Sequence, residues 1–314
     1  MSDAETDAGQ TFAVTPEEVR AAAERIGPYI RRTPVLHARV DGRSVAFKLE
    51  HLQVAGVFKI RGALNALLTA GAKEGGLDRV ITASGGNHGL GVATAARWLG
   101  VPATVFVPGT VPEAKARRVA AQDAEVVRVG TKYADAERAA REFAQAGGGY
   151  YVHAYDDPAV VAGQGTLGLE ILDDFPECDA IAVPVGGGGL LAGVVGAVAP
   201  LRVVGVEPEG CPTLHAAVRA GEPVEVGADS VASSSLGASV IGRHALTAAR
   251  SHEVGLAMVG DAEIIAARDR LWEEFRLAVE PSAAIVFAAW LSGQVKGEHP
   301  CLVLSGGNAD WTPA

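Results

Sequence analysis

Ala180-Ile-Ala-Val-Pro-Val-Gly186-Gly187-Gly188-Gly189-Leu190 runs from a short apolar segment through four consecutive glycines into another apolar segment. Apolar residues without polar alternation read as a strand buried on both faces, as in parallel sheets. Leu190–Val198 behind the glycines reads as a helix. Strand, turn and helix in that order are the unit of an α/β fold. One or two glycines suffice for the turn. Four leave a row of N–H groups free to wrap a phosphate, and the helix N-terminus adds positive potential. The same residues fit a rival: Gly187-x-Gly189-x-x-Ala192 matches the dinucleotide fingerprint, and Glu207 ends the next strand 20 residues after Gly187. On this motif alone a nicotinamide- or flavin-linked oxidoreductase stays open.

The alternation extends both ways. Upstream, the pattern predicts strands at 80–83, 103–107, 125–129 and 150–153, with helices at 89–99, 112–121 and 134–146 between them. Downstream, it predicts a helix at 166–172, a strand at 203–207 and a last strand at 301–304. A helix opening at Asp261 has Ile264, Ile265, Leu271, Trp272 and Phe275 on one face, and 282–291 is another helix. Near the start, residues 1–14 read as a flexible tail. Thr15-Pro-Glu-Glu opens a helix to about Ile26 with a capping box, 32–36 is extended, 45–50 a strand and 60–69 a helix. Residues 80–154 then form a small domain, inserted in a large one made of 1–79 and 155–314. The expected architecture is two open parallel-sheet α/β domains with a cleft between them.

Composition narrows the function. Of 314 residues, 48% are hydrophobic and 20% charged, a globular balance. Asp plus Glu is 37 against 27 for Lys plus Arg, a net charge of −10 with no basic patch, which argues against nucleic acid and anionic lipid as partners. No apolar run is long enough for a membrane span, and the acidic N-terminus is no signal peptide. Cys178, Cys211 and Cys301 are odd in number and widely spaced, which argues for inert thiols in a reducing cytoplasm and against a disulfide framework or zinc site.

Three further segments carry chemistry. In Gly56-Val57-Phe58-Lys59-Ile60-Arg61-Gly62-Ala63, Lys59 stands where a helix begins, between an aromatic and a β-branched residue. A lysine so placed can lose its proton readily and form a Schiff base with an aldehyde; taken alone, a solvated surface charge is the alternative. In Thr82-Ala-Ser84-Gly85-Gly86-Asn87-His88-Gly89, a strand end meets a helix start, so N–H groups, a hydroxyl and an amide converge to hold a carboxylate. A plain turn capped by Ser84 or Asn87, with a structural His88, is the alternative. Leu304-Ser305-Gly-Gly-Asn308 ends the last strand. All four motifs fall at or near the carboxyl ends of strands, where open α/β sheets bind ligands.

Together these residues resemble the pyridoxal-phosphate enzymes of the tryptophan-synthase β fold, or fold type II, and within them the serine/threonine dehydratase and serine racemase branch. The resemblance spans about residues 15–312. It rests on Phe58-Lys59-Ile60-Arg61-Gly62-Ala63, on Ser84-Gly85-Gly86-Asn87-His88-Gly89, and on His153-Ala-Tyr-Asp156-Asp157-Pro158 followed by Ala162-Gly163-Gln164-Gly165-Thr166. Gly186–Gly189, Glu280-Pro281-Ser282-Ala283 and Ser305-Gly-Gly-Asn308 complete it. It implies that Lys59 carries pyridoxal 5'-phosphate covalently, that Phe58 packs near its ring and that Asn87 bonds the ring hydroxyl. It further implies that Ser305 faces the pyridine nitrogen, that Gly186, Gly187, Gly188 and Gly189 hold the phosphate, and that Ser84, Gly85, Gly86, Asn87 and His88 form the substrate loop. A homodimer is also implied.

Several positions depart from that pattern. Val57 stands where Ser or Thr is usual. Gly85 stands where racemases carry a second serine, the proton donor on the face away from the lysine. Thr213 stands where some members have a cation-binding acid six residues after one like Glu207, so no metal ligands are assigned. The chain ends soon after Asn308, without the regulatory domain of biosynthetic threonine dehydratases. The expected activity is therefore β-elimination from L-threonine, L-serine or a related β-hydroxy amino acid, giving a 2-oxo acid and ammonia. The alternatives are a racemase of the same fold, an NAD-linked oxidoreductase and a non-enzymatic cofactor-binding protein.

Overall fold

Thr15 opens helix α1 (Pro16–Ile26) as its sequence suggests: Thr15 Oγ1 accepts from Glu18 N, and the Glu18 carboxylate accepts from Thr15 N at 2.8 Å. The computed structural model describes residues 13–308, so the tail expected at 1–14 lies almost wholly outside the described residues. Two strands follow, β1 (Val35–Val40) and β2 (Arg43–Lys48), and then α2 (Lys59–Glu74). The next segment holds β3 (Val80–Ala83), α3 (Asn87–Leu99), β4 (Ala103–Val107), α4 (Glu113–Ala120), β5 (Glu125–Arg128), α5 (Tyr133–Phe143) and β6 (Tyr150–Tyr151). Then come α6 (Pro158–Asp174), β7 (Ala180–Pro184), α7 (Gly189–Val198), β8 (Arg202–Pro208), α8 (Thr213–Ala220), α9 (Ser233–Leu236) and α10 (Arg243–Ser251). The described chain closes with β9 (Gly255–Val259), α11 (Asp261–Phe275), α12 (Pro281–Leu291) and β10 (Pro300–Val303).

The strands make two sheets. One has six strands in the order β1-β2-β10-β7-β8-β9, the other four in the order β5-β4-β3-β6. The smaller sheet is wholly parallel. The larger is parallel except for β1, which pairs antiparallel with β2 and leaves Val40 opposite Arg43. That hairpin adds an antiparallel edge strand to the expected parallel sheet, where the sequence suggested only an extended segment at 32–36. Its turn is Asp41-Gly42, with φ of 51° and 78°, the positive pair that a two-residue hairpin requires.

Helix α6 starts at Pro158 rather than Thr166, capped by Asp157 Oδ1, which accepts from the N–H groups of Ala159 and Val160. Glycines that resemble a loop in the sequence serve close packing here. A Cβ on Gly163 would lie 2.6 Å from Arg61 O, and one on Gly165 would lie 2.4 Å from Gly193 O. Helix α6 thus lies almost backbone to backbone against α2 and α7. Helix α11 begins at Asp261, but its N-cap is Gly260, whose N–H is taken by Glu263 at 2.8 Å.

Both faces of the larger sheet are covered. Helices α1, α6, α7 and α10 bury one apolar cluster, and α11 and α12 the other, with Phe287 and Trp290 inside. Helices α2 and α3 pack on one face of the smaller sheet, and α5 on the other. The loops after β3, β7 and β10 all contribute to one cleft.

Candidate active site

Lys59 is the first residue of α2, and its N-cap Phe58 offers no side-chain bond to the helix start. Its Nζ donates to Ala154 O at 2.9 Å and lies 5.2 Å from the centre of the Phe58 ring. Burial disfavours the ammonium form and lowers the pKa of Lys59 to about 8. The helix start is anchored two residues on. Arg61 is completely buried and bonds Glu50 and Glu170, each at 2.7 Å, while Lys48 joins Glu170 at 2.6 Å. Two cations and two carboxylates thus neutralise one another beneath the helix, which fixes where Lys59 emerges.

The glycine loop follows β7. The backbone N–H groups of Gly187, Gly188, Gly189 and Leu190 meet no protein acceptor among the described residues, although the loop is mostly buried. Orphaned N–H groups in such number are rare away from a ligand. Side chains are also excluded: a Cβ on Gly187 would lie 2.3 Å from the Tyr155 ring, and Gly188 has a φ of 84°. The back of the loop is held by Thr213 Oγ1, 2.7 Å from Gly186 O, and by the Gly242 N–H on Gly187 O. An anion is what this cradle accommodates.

A second cradle follows β3. The N–H groups of Asn87, His88 and Gly89 open α3 and likewise meet no protein acceptor among the described residues. The N-cap is Gly86, not Ser84 or Asn87, and Ser84 Oγ accepts from Gly86 N at 3.2 Å. His88 is buried, with Nε2 3.3 Å from Val152 O and Nδ1 without a partner among the described residues. Burial, followed by the Lys59 charge, lowers its pKa to about 3, so it is neutral and a weak base at any working pH. Gly85 faces Val111, whose γ-carbons occupy the space a side chain there would take.

The two cradles share a cleft. An outer cavity of about 550 Å³ is lined by Lys59, the 84–88 loop, Tyr133, Tyr155 and the 233–235 serines. A narrow inner chamber is lined by Phe58, Lys59, Asn87, Gly186–Gly189, Glu280 and Ser305. The structure therefore brings together every residue singled out from the four motifs.

Asn87 also has several protein partners. Asn87 Nδ2 donates to Glu280 at 2.6 Å and to Ser235 at 3.2 Å, and Asn87 Oδ1 accepts from Asn308 Nδ2 at 3.0 Å. Glu280 is fully buried, and desolvation raises its pKa. It precedes Pro281, so in the sequence it reads as a helix cap. Its carboxylate makes no cap bond and turns into the chamber instead. Ser235 is hard to find in the sequence, since it belongs to none of the quoted motifs; Tyr155 lies in the 153–158 segment, but nothing there marks its contact with the glycine loop. Glu207 is completely buried and saturated by Thr213 Oγ1, the N–H groups of Leu214 and His215, and His215 Nδ1 at 2.7 Å.

Residues 26–306 match the protein family described as pyridoxal-phosphate dependent enzyme. The chain belongs to that family. This pyridoxal-phosphate-dependent enzyme is 38% identical over 303 residues to an L-threonine ammonia-lyase of Geobacter sulfurreducens, covering 93% of this chain and 75% of that one. It is 34% identical to a serine racemase of Arabidopsis thaliana, covering 96% and 95%. Among solved structures it resembles a threonine deaminase from T.th., with a TM-score of 0.88, 36% identity, and coverage of 95% and 100%. The two-sheet architecture is that of fold type II. The residues present fit the cofactor: orphaned N–H groups for its phosphate, a half-buried amine of lowered pKa for its aldehyde, and a chamber between them for its ring.

Proposed function

We propose that this enzyme is an ammonia-lyase that removes the β-hydroxyl of L-threonine, L-serine or a related amino acid and releases a 2-oxo acid and ammonia. The observation that carries the reading is the half-buried Lys59 amine set between two anion cradles in one cleft. Gly187 to Leu190 would hold the cofactor phosphate, Phe58 the ring flank, and Ser305 the pyridine nitrogen. When bound, pyridoxal phosphate supplies an electron sink for the substrate α-carbon. Ser84 and the N–H groups of Asn87, His88 and Gly89 orient the substrate carboxylate. The Lys59 amine, uncharged above about pH 8 when free, removes the α-proton. Ser305 offers a hydroxyl rather than a carboxylate, which favours loss of a β-leaving group over a long-lived carbanion.

Elimination is preferred to racemisation because no side chain at 85 can deliver a proton to the face away from Lys59, and Val111 fills that space. The test is 2-oxo acid and ammonia formation across a panel of β-hydroxy amino acids, with D-isomers measured in parallel. Ammonia release without racemisation supports the reading; inversion of L-serine faster than pyruvate formation overturns it. We also infer that residues 80–154 act as one domain and the rest as another, and that the enzyme is a cytoplasmic homodimer. Three buried, unpaired thiols support a reducing compartment. A monomer in light scattering would overturn the dimer.

A further inference from the structure

The outer cavity is one-sided in charge. Its lining contains two lysines and no aspartate or glutamate. Lys59 is assigned to the cofactor. The other, Lys115, lies on α4, half-buried at the cavity wall. Its ammonium makes no ion pair or hydrogen bond among the described residues. The acid nearest in its own helix, Glu113, is taken by Arg128 at 2.8 Å. The charge of Lys115 is felt by Glu280, but the two form no pair. In a protein of net charge −10, a cation left unpaired in a cleft is a place prepared for an anion.

Both anions of the basic reading are already provided for. The glycine loop takes a phosphate, and the start of α3 takes the α-carboxylate. Serine and threonine bring no other charge, so Lys115 would stay uncompensated with either. The hydroxyl-bearing Thr110 and Tyr133 line the same cavity. They add donors, not charge.

We propose that Lys115 binds a second acid group on the substrate, so that the preferred substrate is a dicarboxylic β-hydroxy amino acid. This rests on the elimination reading and names its substrate class. The reaction stays balanced and redox-neutral. The α-proton passes to Lys59, the C–O bond breaks and hydroxide leaves as water on protonation. One water then re-enters to release ammonia, giving a dicarboxylic 2-oxo acid.

The probe is 3-hydroxyaspartate, in its threo and erythro forms, against L-threonine, with the cofactor-loaded enzyme. A preference for one hydroxyaspartate isomer in kcat/KM is expected. In Lys115→Gln the ratio of the two kcat/KM values should fall about 10- to 100-fold, the range for a lost charged hydrogen bond. Lys115→Arg should keep most of it. Calorimetric binding of L-aspartate, which has no β-hydroxyl to lose, gives a readout independent of turnover and should weaken similarly in Lys115→Gln. Threonine turnover with no preference for hydroxyaspartate overturns the inference and leaves the elimination reading standing. Lys115-dependent aspartate binding, with no ammonia from any substrate, overturns the elimination reading and upholds the anion site. An equal loss for both substrates in Lys115→Gln shows that Lys115 serves the α-carboxylate and overturns the proposal.

Discussion

Replacing Gly85 by serine would supply the hydroxyl that racemisation needs, and the structure says that this alone should fail. The new Cβ would lie 2.5 and 2.9 Å from the two γ-carbons of Val111 and 3.3 Å from its Cβ. Carbon atoms rest at about 3.5–4.0 Å, so the shortest contact is about 1 Å too close. Val111 is short and branched and has no far end to swing away. Overpacking of this kind costs about 1–3 kcal/mol. Gly85→Ser should therefore lose that much stability in urea, and its ammonia release should fall as the 84–88 loop is displaced. Val111→Ala removes both γ-carbons and leaves only the 3.3 Å contact. The double variant should return to within about 1 kcal/mol of Val111→Ala, a non-additivity that marks direct contact. Only the double variant then presents a hydroxyl on the face away from Lys59. Positioned proton donors contribute about 10²–10⁴-fold, so D-serine from L-serine should rise about 100-fold or more in a chiral amino-acid assay. A fully stable Gly85→Ser would refute the packing argument. A well-folded double variant that makes no D-serine would refute the placing of residue 85 on the proton-delivery face.

The amine of Lys59 has a folded pKa of about 8 against an ordinary 10.5, so its neutral form prevails above pH 8. Borohydride-trapped pyridoxal phosphate on the cofactor-free protein should rise between pH 7 and 9, and Lys59→Ala should give none; a midpoint near 10.5 counts against the burial argument. Between those two pKa values the unfolded chain binds more protons, so this group's contribution to stability rises with pH there. Arg61→Met strands Glu50 in the interior and should cost about 3–5 kcal/mol in urea unfolding; a loss under about 1 kcal/mol would mean that Thr33 and the surroundings suffice to hold that carboxylate. Gly187→Ala drives a methyl into the Tyr155 ring, and the rise in Tm on adding pyridoxal phosphate should shrink or vanish; an undiminished rise would show that the phosphate sits elsewhere.

The buried parallel strands are legible because burial on both faces leaves an unbroken apolar run. Val80–Ala83 and Ala103–Val107 fall where the pattern puts them. Strand β1 is masked, although Asp41-Gly42 is a strong hairpin signal, because Thr33-Pro34 points to an extended entry instead. The start of α6 is hidden by Gly163 and Gly165, which look like loop residues until the neighbouring backbones are seen. The site divides along the same line. Lys59, the two glycine-rich loops and Ser305 have local signatures. Ser235 and Val111 matter through contacts across long sequence separations, and the quoted segments that hold Glu280 and Tyr155 do not show what those side chains touch. No local pattern carries that information.

The smaller sheet is made from one stretch of chain, and its first and last strands, β3 and β6, lie side by side with Val80 opposite Tyr150. Because β3 and β6 run parallel, the chain enters β3 at one end of that sheet and leaves β6 at the other. Val111, Lys115 and Tyr133 lie within that stretch, while Lys59, the glycine loop and Ser305 lie outside it, although α2, which starts at Lys59, packs on the same sheet. One wall of the outer cavity is thus encoded by a single length of gene, whereas the inner chamber is assembled from several distant ones.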